Sequence, residues 1–296
     1  MIVAYLILAH RNPRQLAVLV AALPSTSPVL IHFDRRADGN AYQQAVQLLE
    51  GRPQLRFLRR HDCRWGAFGI VQATVGLIDE LLASGMAFDY ASLISGSDYP
   101  IKSNREIASF LRHHWGQEFI ESFSLLQPNR WSTHGGYFKA PEKALCRHLR
   151  FRSRVLRLPW RRRMPLGLQP YGGSQWWTLS RQAIHYISEF CRRAPEFLSF
   201  SRHAFIPDEM VIQTILSNSR FAERVRGDDL RLTIWDRPSP PYPAVLTSAD
   251  LELLLSSEKL YARKFDVQTD PRVLQALADR NSRLEWAAPQ LNAASR

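Results

Sequence analysis

The feature that most constrains the fold of this chain is a regular alternation of strand and helix patterns in its N-terminal part. Apolar runs of strand length cover residues 2–9, 29–33, 55–58, 90–94 and, more briefly, 118–121. Amphipathic helical patterns separate them, at residues 13–23, 41–49, 70–82 and 104–113. Strands that alternate with helices predict an α/β fold with a mostly parallel, doubly wound sheet. Ligands of such sheets bind at the carboxyl ends of the strands.

Two stretches interrupt this pattern. Residues 127–172 are rich in Pro, Gly and Arg and show no sustained period, after which a strand at 176–179 and a helix from Arg181 resume. We interpret the first stretch as an insertion that covers a substrate rather than as a linker between domains. The second, residues 236–243, contains four prolines and precedes a short helical pattern at 251–255.

Composition sets the class of protein. A chain of 296 residues with 45% hydrophobic residues can build one α/β core. Its three cysteines, Cys63, Cys146 and Cys191, have no Cys-x-x-Cys spacing, so neither a disulfide framework nor a zinc site is indicated and a reducing compartment is expected. Since no apolar run is long enough to span a bilayer and the first lacks a basic leader, we expect neither secretion nor anchoring.

The net charge of +12 is unevenly distributed. Residues 147–163 contain eight arginines, namely Arg147, Arg150, Arg152, Arg154, Arg157, Arg161, Arg162 and Arg163. Apolar side chains such as Leu156 and Trp160 are interleaved with them. This pattern suits an anionic membrane surface, a polyanionic glycan or nucleic acid, and it is equally compatible with a solvated basic face.

A pair of carboxylates, Asp208 and Glu209, follows Pro207 at the predicted start of a helix. Pro fixes a backbone angle suited to the first helical position, and acids in the first turn are favoured by the helix dipole. The pair is therefore either ordinary capping chemistry or a catalytic acid in an otherwise basic protein. The run alone leaves both alternatives open.

Two further segments lie where strands end. Asp34 follows the second strand, where it could hydrogen-bond a ribose or a base. The fourth strand runs into Ser95 and Gly96, small residues whose backbone amides a ligand could approach closely, although they can equally form a simple turn before the next helix.

Near the C-terminal end, Arg263 and Lys264 stand between aromatic residues. Such a pair could hold a diphosphate, or it could be an ordinary surface pair. The chain contains neither a Gly-x-Gly-x-x-Gly loop nor a Walker pattern, and no Asp-x-Asp follows a predicted sheet strand. Dinucleotide and P-loop hypotheses therefore lose support, and no metal site is predicted.

Taken in order, five segments resemble the core 2 and I-branching enzyme family, which includes β-1,6-N-acetylglucosaminyltransferases and peptide xylosyltransferases. They are Trp65–Gly66, residues 93–101, residues 172–177, residues 207–209 and residues 260–266. The resemblance extends from about residue 5 to residue 270. Each motif is modest, and the specificity lies in their order and spacing.

This resemblance implies a glycosyltransferase of the GT-A type. A single Rossmann-like, nucleotide-sugar half, about residues 1–125, would merge with an acceptor and catalytic half, about residues 126–296, in one domain. The donor would be a UDP-sugar and no cofactor is implied. The family's catalytic base falls on Glu209, and its diphosphate contact falls on Lys264, with Arg263 beside it.

Other site residues are also carried over from the family. Asp34 matches the acid near the nucleoside, and Trp65 lies in the segment beside the nucleotide, while Ser95 and Gly96 stand in the donor-side turn. The matches to the sugar and acceptor cleft are Gln175, Trp176 and Trp177, with looser matches at Arg130 and Trp131. For Trp177 a place in the core is an equal alternative, since aromatic residues dominate cores.

The chain departs from the family in two respects. A second basic diphosphate contact would fall near Pro243, where no cation matches unless Arg237 replaces it. The many cysteines of animal members are also missing, which fits a protein working in the cytoplasm, with a peripheral position on the inner face of the membrane as an open alternative.

We therefore expect inverting, metal-independent transfer of N-acetylglucosamine or xylose from a UDP-sugar to a hydroxyl of a glycan, a lipid-linked acceptor or a peptide. One rival is a basic nucleic-acid-binding protein, which explains the charge and little else, because most of the excess lies in one insertion. Another is a catalytically silent sugar-binding relative, which the presence of Glu209 argues against.

Overall fold

The computed structural model describes residues 1–133, 138–151, 154–237 and 243–293 of the chain. The strands are β1 (Val3–Ala9), β2 (Val29–Phe33), β3 (Leu55–Phe57), β4 (Tyr90–Ser95), β5 (Asp98–Pro100), β6 (Phe119–Ile120), β7 (Phe123–Ser124), β8 (Cys146–Phe151), β9 (Arg154–Arg161), β10 (Tyr171–Gly172), β11 (Trp177–Ser180), β12 (Arg231–Thr233) and β13 (Tyr261–Arg263). The helices are α1 (Pro13–Ala21), α2 (Gly39–Leu48), α3 (Gly69–Ala83), α4 (Asn104–His113), α5 (Arg130–Thr133), α6 (Ala140–Leu145), α7 (Arg181–Arg193), α8 (Pro195–Ser201), α9 (Val211–Ser217), α10 (Leu251–Ser256) and α11 (Pro271–Ala293).

The main sheet has the order β3-β2-β1-β4-β11-β6. Strands β3, β2, β1 and β4 are parallel, and β11 runs antiparallel to both β4 and β6. The chain moves outward from β1 to β3 and then returns through α3 to β4 on the other side of β1. This reversal between β1 and β4 is the switch point at which α/β sheets bind ligands.

Alternation along β1 divides the core into two layers. Tyr5 and Ile7 pack on one face, in the apolar cluster that includes side chains of α1, α4 and β13. Ala4 and Leu6 pack on the other face, with side chains of α3, α7 and α9. Both faces of the sheet are thus covered, which explains the nearly continuous apolar sequence of its central strands.

These elements confirm the predicted mixed α/β, GT-A type fold with one Rossmann-like half. The predicted strand at 29–33 and helix at 104–113 have the observed bounds, and most other elements differ by one or two residues. Strand β11, from the predicted acceptor half, lies between β4 and β6 of the predicted nucleotide-sugar half, so the two halves share one sheet.

A second, three-stranded sheet lies at the carboxyl end of β4. Its order is β12-β13-β5, with β13 parallel to β12 and antiparallel to β5. The register places Arg263 opposite Asp98. Because β5 follows directly from β4, this sheet brings the C-terminal Arg263 and Lys264 to the switch point of the main sheet.

The prediction that residues 127–172 are irregular is wrong for its arginine-rich part. Strands β8 and β9 form an antiparallel hairpin, called here the arginine hairpin (β8 and β9), in which Leu149 pairs with Leu156. Cys146 and His148 point inward, whereas Arg147 and Leu149 are exposed. The alternation was hidden because arginines occupy positions on both faces of the strands.

Candidate active site

Glu209 lies in a single 3₁₀ turn, Pro207–Glu209, and not in the first turn of a regular helix as predicted. Helix α9 begins two residues later, after Met210 leaves helical geometry. The turn is entered through Ile206 at φ 51°, a left-handed conformation that is costly for a β-branched residue and that concentrates at functional sites. The Ile206 N–H is held by the carbonyl of Gly66 at 3.2 Å.

The backbone of the turn is fixed by a close approach of three segments. Gly173 donates its N–H to the carbonyl of Glu209 at 3.0 Å. A Cβ on Gly173 would lie 1.9 Å from the carbonyl oxygen of Glu121, so only glycine allows this contact. The Gly172–Gly173 motif therefore positions Glu209 against the segment that carries Glu121.

The Glu209 carboxyl group is half-buried and lies within electrostatic reach of both acids and cations. Burial, with the Asp208 carboxylate adding to it, raises the pKa of Glu209 to about 8, and Arg130 and Lys143 oppose the shift. A pKa near the working pH is what a general base requires. Lys143 is buried with its ammonium group 4.2 Å from the ring centre of Trp131.

Arg130 connects Glu209 to the acids around it. Its guanidinium group binds Glu121 in a fork, with Nε to Oε1 at 2.8 Å and Nη2 to Oε2 at 2.6 Å. Although burial opposes the change, Glu121, Glu209 and Asp229 together raise the pKa of Arg130. Arg130 is thus within electrostatic reach of both the Glu209 turn and Asp229.

The loop of Cys63 to Gly66 joins the turn to the end of β2. The Asp34 carboxylate accepts the Cys63 N–H at 3.1 Å, and Trp65, which is 69% exposed, packs edge-on against Phe205 at 5.8 Å. Burial, reinforced by Asp34, Asp62 and Asp208, raises the pKa of the Cys63 thiol to about 12. Asp34, Trp65 and the Glu209 turn therefore lie side by side.

A buried ionic network supports the other side of the site. The Asp98 carboxylate binds Arg231 at 3.3 Å and Arg263 at 3.1 Å, and Asp98 and Arg231 have fully buried side chains. The guanidinium of Arg263 lies 4.4 Å from the ring centre of Trp176. Because burying charge is costly without partners, this network fixes Arg263 in one orientation.

Lys264 lies among other cations at the carboxyl ends of β1 and β13. Burial lowers its pKa, with Arg263 and Arg11 adding to the shift and Asp98 opposing it. Partial burial also lowers the pKa of His10, and the charges of Arg11, Lys264 and Arg263 contribute while Asp34 opposes. This cationic group can therefore bind an anion beside Asp34.

Asp229 influences cations on both the Glu209 side and the Arg263 side of the site. Burial lowers the pKa of Arg263, and the charge of Asp229 opposes that shift as it does for Arg130. Asp229 is itself held by the hydroxyl of Ser174 at 2.6 Å. Asp229 is therefore within electrostatic reach both of Arg130, which neighbours the predicted base, and of Arg263, a predicted diphosphate contact.

Several predicted cleft residues have different roles in the structure. Trp177 is 1% exposed and packs in the core, which corrects its assignment to the cleft, since β11 is flanked by strands on both sides. Trp176 is 8% exposed and is stacked with Arg263. Trp131 is also buried, beneath Lys143, and Gln175 is half-buried beside Asp208.

The donor-side turn after β4 uses most of its polar groups internally. The Ser95 hydroxyl donates to Asp98, and the Gly96 N–H donates to the carbonyl of Leu8 at 2.9 Å. Their proposed contact with the donor stays a prediction. Arg237 forms an ion pair with Asp250, so it is already neutralised where a second diphosphate contact was expected.

Seven of the eight arginines of the arginine-rich segment lie in the described part of the chain. Arg162 is structural, because it donates to the carbonyls of Phe200, Ala144 and Cys146. Arg150 binds the carbonyl of Gly66, and Arg157 approaches Glu142 at 3.5 Å. Arg152 lies outside the described residues. Five arginines of the segment are exposed, namely Arg147, Arg150, Arg154, Arg161 and Arg163, although Arg150 also binds Gly66.

Sequence reasoning missed residues that the structure adds to the site. His10 and Arg11 directly follow β1, so the strand-end argument applied to Asp34 could have found them. Glu121, Lys143 and Asp229 had no local signal, because each reaches the site only through tertiary packing. Among the described residues, no group of three or more His, Cys, Asp or Glu side chains is arranged to hold a metal ion.

Comparisons with known proteins identify the family of this chain. A family model described as "Branch: Core-2/I-Branching enzyme" matches residues 3–254. The chain is 27% identical over 237 residues to "Xylosyltransferase oxt" of Drosophila pseudoobscura pseudoobscura, a match that covers 77% of this chain and 25% of that protein. It is also 27% identical over 240 residues to "Xylosyltransferase 2" of Homo sapiens, covering 79% of this chain and 27% of that protein.

The chain therefore spans about a quarter of the length of these curated relatives. Among solved structures it is similar to mouse xyloside xylosyltransferase 1 in its apo form, with a TM-score of 0.41 and 9% identity over 88% of this chain and 97% of that one.

Proposed function

This chain belongs to the Core-2/I-Branching enzyme family, and from that premise we propose that it is an inverting, metal-independent glycosyltransferase. It would move N-acetylglucosamine or xylose from a UDP-sugar to a hydroxyl group of a glycan, a lipid-linked acceptor or a peptide. The observation that carries the proposal is the half-buried Glu209, whose pKa is raised to about 8 by burial, with Asp229 in electrostatic reach of both the neighbouring Arg130 and Arg263.

In the proposed reaction, the acceptor oxygen attacks the anomeric carbon while the bond from that carbon to the UDP oxygen breaks. The acceptor proton passes to Glu209, which acts as general base. Attack from the side opposite the leaving group inverts the anomeric configuration. Lys264, with Arg263 and Arg11 near it, stabilises the negative charge that grows on the departing diphosphate.

Metal independence is supported by the state of Asp98, the carboxylate that binds Arg263. Asp98 follows β4, where a metal-binding carboxylate would be expected, but its side chain is fully buried and binds two guanidinium groups. A carboxylate neutralised in this way cannot also serve as a ligand of a solvated divalent ion. The cations provide the charge that a metal would otherwise supply.

The arginine hairpin supports a second part of the proposal, an anionic partner. Its exposed arginines stand beside Leu156 and Trp160, which are 61% and 71% exposed. Arg150 ties the hairpin to Gly66, next to the Glu209 turn. We propose that the arginine hairpin binds an anionic membrane surface or a charged acceptor. If it binds the membrane, the protein takes a peripheral position on the inner face of that membrane. No described helix has the length and apolar character to cross a bilayer.

A screen of UDP-sugars with the purified full chain tests the proposal. We expect hydrolysis or transfer from UDP-N-acetylglucosamine or UDP-xylose, undiminished in EDTA, and an inverted product by proton NMR. Loss of activity in EDTA that added metal restores would contradict the metal-independent mechanism. Tight binding of a UDP-sugar without turnover, with any acceptor of the panel, would instead favour a catalytically silent relative.

A further inference from the structure

A second concave site lies at the opposite end of the main sheet from Glu209. Its cavity has a volume of about 300 Å³, at the lower end of the range of small-molecule sites. The residues that line it are Asp89, Trp115, Gly116, Ser180, Arg181, Gln182 and Arg224. None of them belongs to the candidate active site.

The strand directions show how far apart the two sites are. Asp89 precedes β4, whose other end, Ser95, lies at the active site. At about 3.3 Å per residue, six strand residues separate the two ends by roughly 16 to 20 Å. Ser180 ends β11 at the second site, while Trp176 precedes β11 at the first. A ligand of the second cavity therefore occupies a separate position from the donor.

Trp115 gives the cavity an aromatic wall. Its side chain is 64% exposed, although its ring packs edge-on against buried Tyr90 at 5.9 Å. The same tyrosine accepts the N–H of Gly116 at 2.9 Å, which anchors the turn that carries the indole. An exposed, anchored indole is suited to the apolar face of a sugar ring, because it loses little conformational entropy on binding.

Two arginines give the cavity a positive charge. Arg181 lies over the ring of Phe88 at 5.2 Å, and Arg224 lies over Phe221 at 5.6 Å while donating to Gln182 Oε1 at 3.2 Å. Neither forms an ion pair with another residue in the part of the chain that the structure describes. Both guanidinium groups are thus held in place and remain able to bind an anion.

The acids near the cavity are already engaged. The Asp89 carboxylate accepts the N–H of Ile2 at 2.6 Å. Glu118 is fully buried behind the cavity and accepts the N–H and the hydroxyl of Ser180, at 2.8 and 2.6 Å. The lining therefore holds two guanidinium groups against one carboxylate, and Glu118 behind it lies close enough to Arg224 to offset part of the positive charge.

We propose that this cavity binds an acidic sugar unit, with the pyranose ring on Trp115 and its carboxylate, sulfate or phosphate group between Arg181 and Arg224. The amide of Gln182 supplies a further polar contact for ring hydroxyls. Such a site goes beyond the proposed transfer reaction, because it would hold a remote part of an acidic polysaccharide and requires neither a donor nor turnover.

Calorimetry with the full chain tests this site. The probes are a hyaluronan hexasaccharide, which carries carboxylates, a chitohexaose of the same length, which is neutral, and inorganic sulfate. We expect hyaluronan to bind at least tenfold more tightly than chitohexaose and sulfate to bind weakly. Trp115→Ala should weaken hyaluronan binding about tenfold, and Arg181→Gln with Arg224→Gln should remove the preference for the charged sugar.

Matched controls separate this cavity from the rest of the surface. Trp235 is 62% exposed, so Trp235→Ala removes a comparable indole elsewhere. Arg192→Gln with Arg283→Gln removes two exposed arginines that lie outside both the cavity and the arginine hairpin. Neither control should change hyaluronan binding. The proposal is wrong if hyaluronan does not bind, if this arginine control weakens binding as much as the cavity variants, or if sulfate alone binds equally well.

The outcome is independent of the proposed transfer reaction. Donor hydrolysis without acceptor should be the same in the cavity variants and the parent. Hyaluronan binding without any transfer activity would support the second site and contradict the proposed function. Transfer activity without hyaluronan binding would support the proposed function and contradict the second site.

Discussion

The two basic regions of this molecule use their cations in opposite ways. At the candidate active site, Arg231 is fully buried, Arg263 is 13% exposed, and the two share the Asp98 carboxylate. In the arginine hairpin, Arg154 and Arg161 are exposed to solvent, and neither forms an ion pair with a described residue. The first arrangement fixes a positive charge in one orientation, whereas the second leaves positive charge exposed to solvent.

This difference shows that the net charge of +12 does not by itself locate the active site. A buried guanidinium is oriented by its partners and acts over a short range in low dielectric, as a reaction requires. An exposed one is screened by salt and contributes to long-range attraction of anionic surfaces. We expect active-site variants to change chemistry and hairpin variants to change association only.

The largest effect is expected from Glu209→Gln. Loss of a positioned general base should reduce turnover by roughly two to four orders of magnitude, with donor binding nearly intact. The matched control is Glu196→Gln, because Glu196 also follows a proline at a helix start but is exposed. If both variants transfer sugar at the parental rate, Glu209 is only an acid of the 3₁₀ turn and has no role in the reaction.

The pH profile tests the same residue without a mutation. The base must be deprotonated to accept a proton, and its pKa is raised to about 8 by burial. Below that pH, kcat/KM should therefore fall about tenfold for each pH unit, and above it the rate should level off. A profile that is flat from pH 5.5 to 9 would place the essential group elsewhere.

The next largest effect is expected from Asp98→Asn, which removes the counter-charge that distinguishes the cations of the active site from those of the hairpin. Arg231 and Arg263 would remain buried without their shared counter-charge, at a cost of about 3–5 kcal/mol in the free energy of unfolding. Denaturant unfolding measures this. As a control, Glu80→Gln breaks the exposed pair with Arg56, which should cost at most about 1 kcal/mol. Equal losses would mean that burial does not distinguish the two pairs.

The sequence predicted the first region better than the second, for a physical reason. Strand and helix periods identified the Rossmann-like half, and Asp34, Arg263 and Lys264 follow or end strands that converge at its carboxyl edge. The arginine hairpin was not predicted, because strand alternation is a contrast of polar and apolar residues, and arginines on both faces remove that contrast. Trp177 was wrongly assigned to the cleft because the sequence does not distinguish a tryptophan of the core from one that lines a cleft.

Lys264→Ala should have a smaller effect that is specific to phosphate. Removal of a charge-assisted contact should weaken UDP binding between about 10- and 100-fold, while uridine binding stays unchanged. Calorimetry with both ligands measures the difference. Lys259→Ala is the control, since Lys259 also lies near β13 but pairs with Asp228 at 2.7 Å. Equal losses for UDP and uridine would place Lys264 away from the diphosphate.

The smallest effect for each residue is expected in the arginine hairpin. Replacing Arg161 and Arg163 by Gln should lower partitioning to phosphatidylserine vesicles about fivefold for each arginine at low salt, and the difference should shrink as salt is added. Arg112→Gln with Arg192→Gln removes the same charge from exposed helix positions elsewhere and should change partitioning little. Donor hydrolysis without acceptor should be equal in all these proteins.

If the hairpin variant loses hydrolysis as well, the arginines belong to the nucleotide site and the two basic regions are one. If it loses neither partitioning nor use of a charged acceptor, the hairpin is a solvated surface.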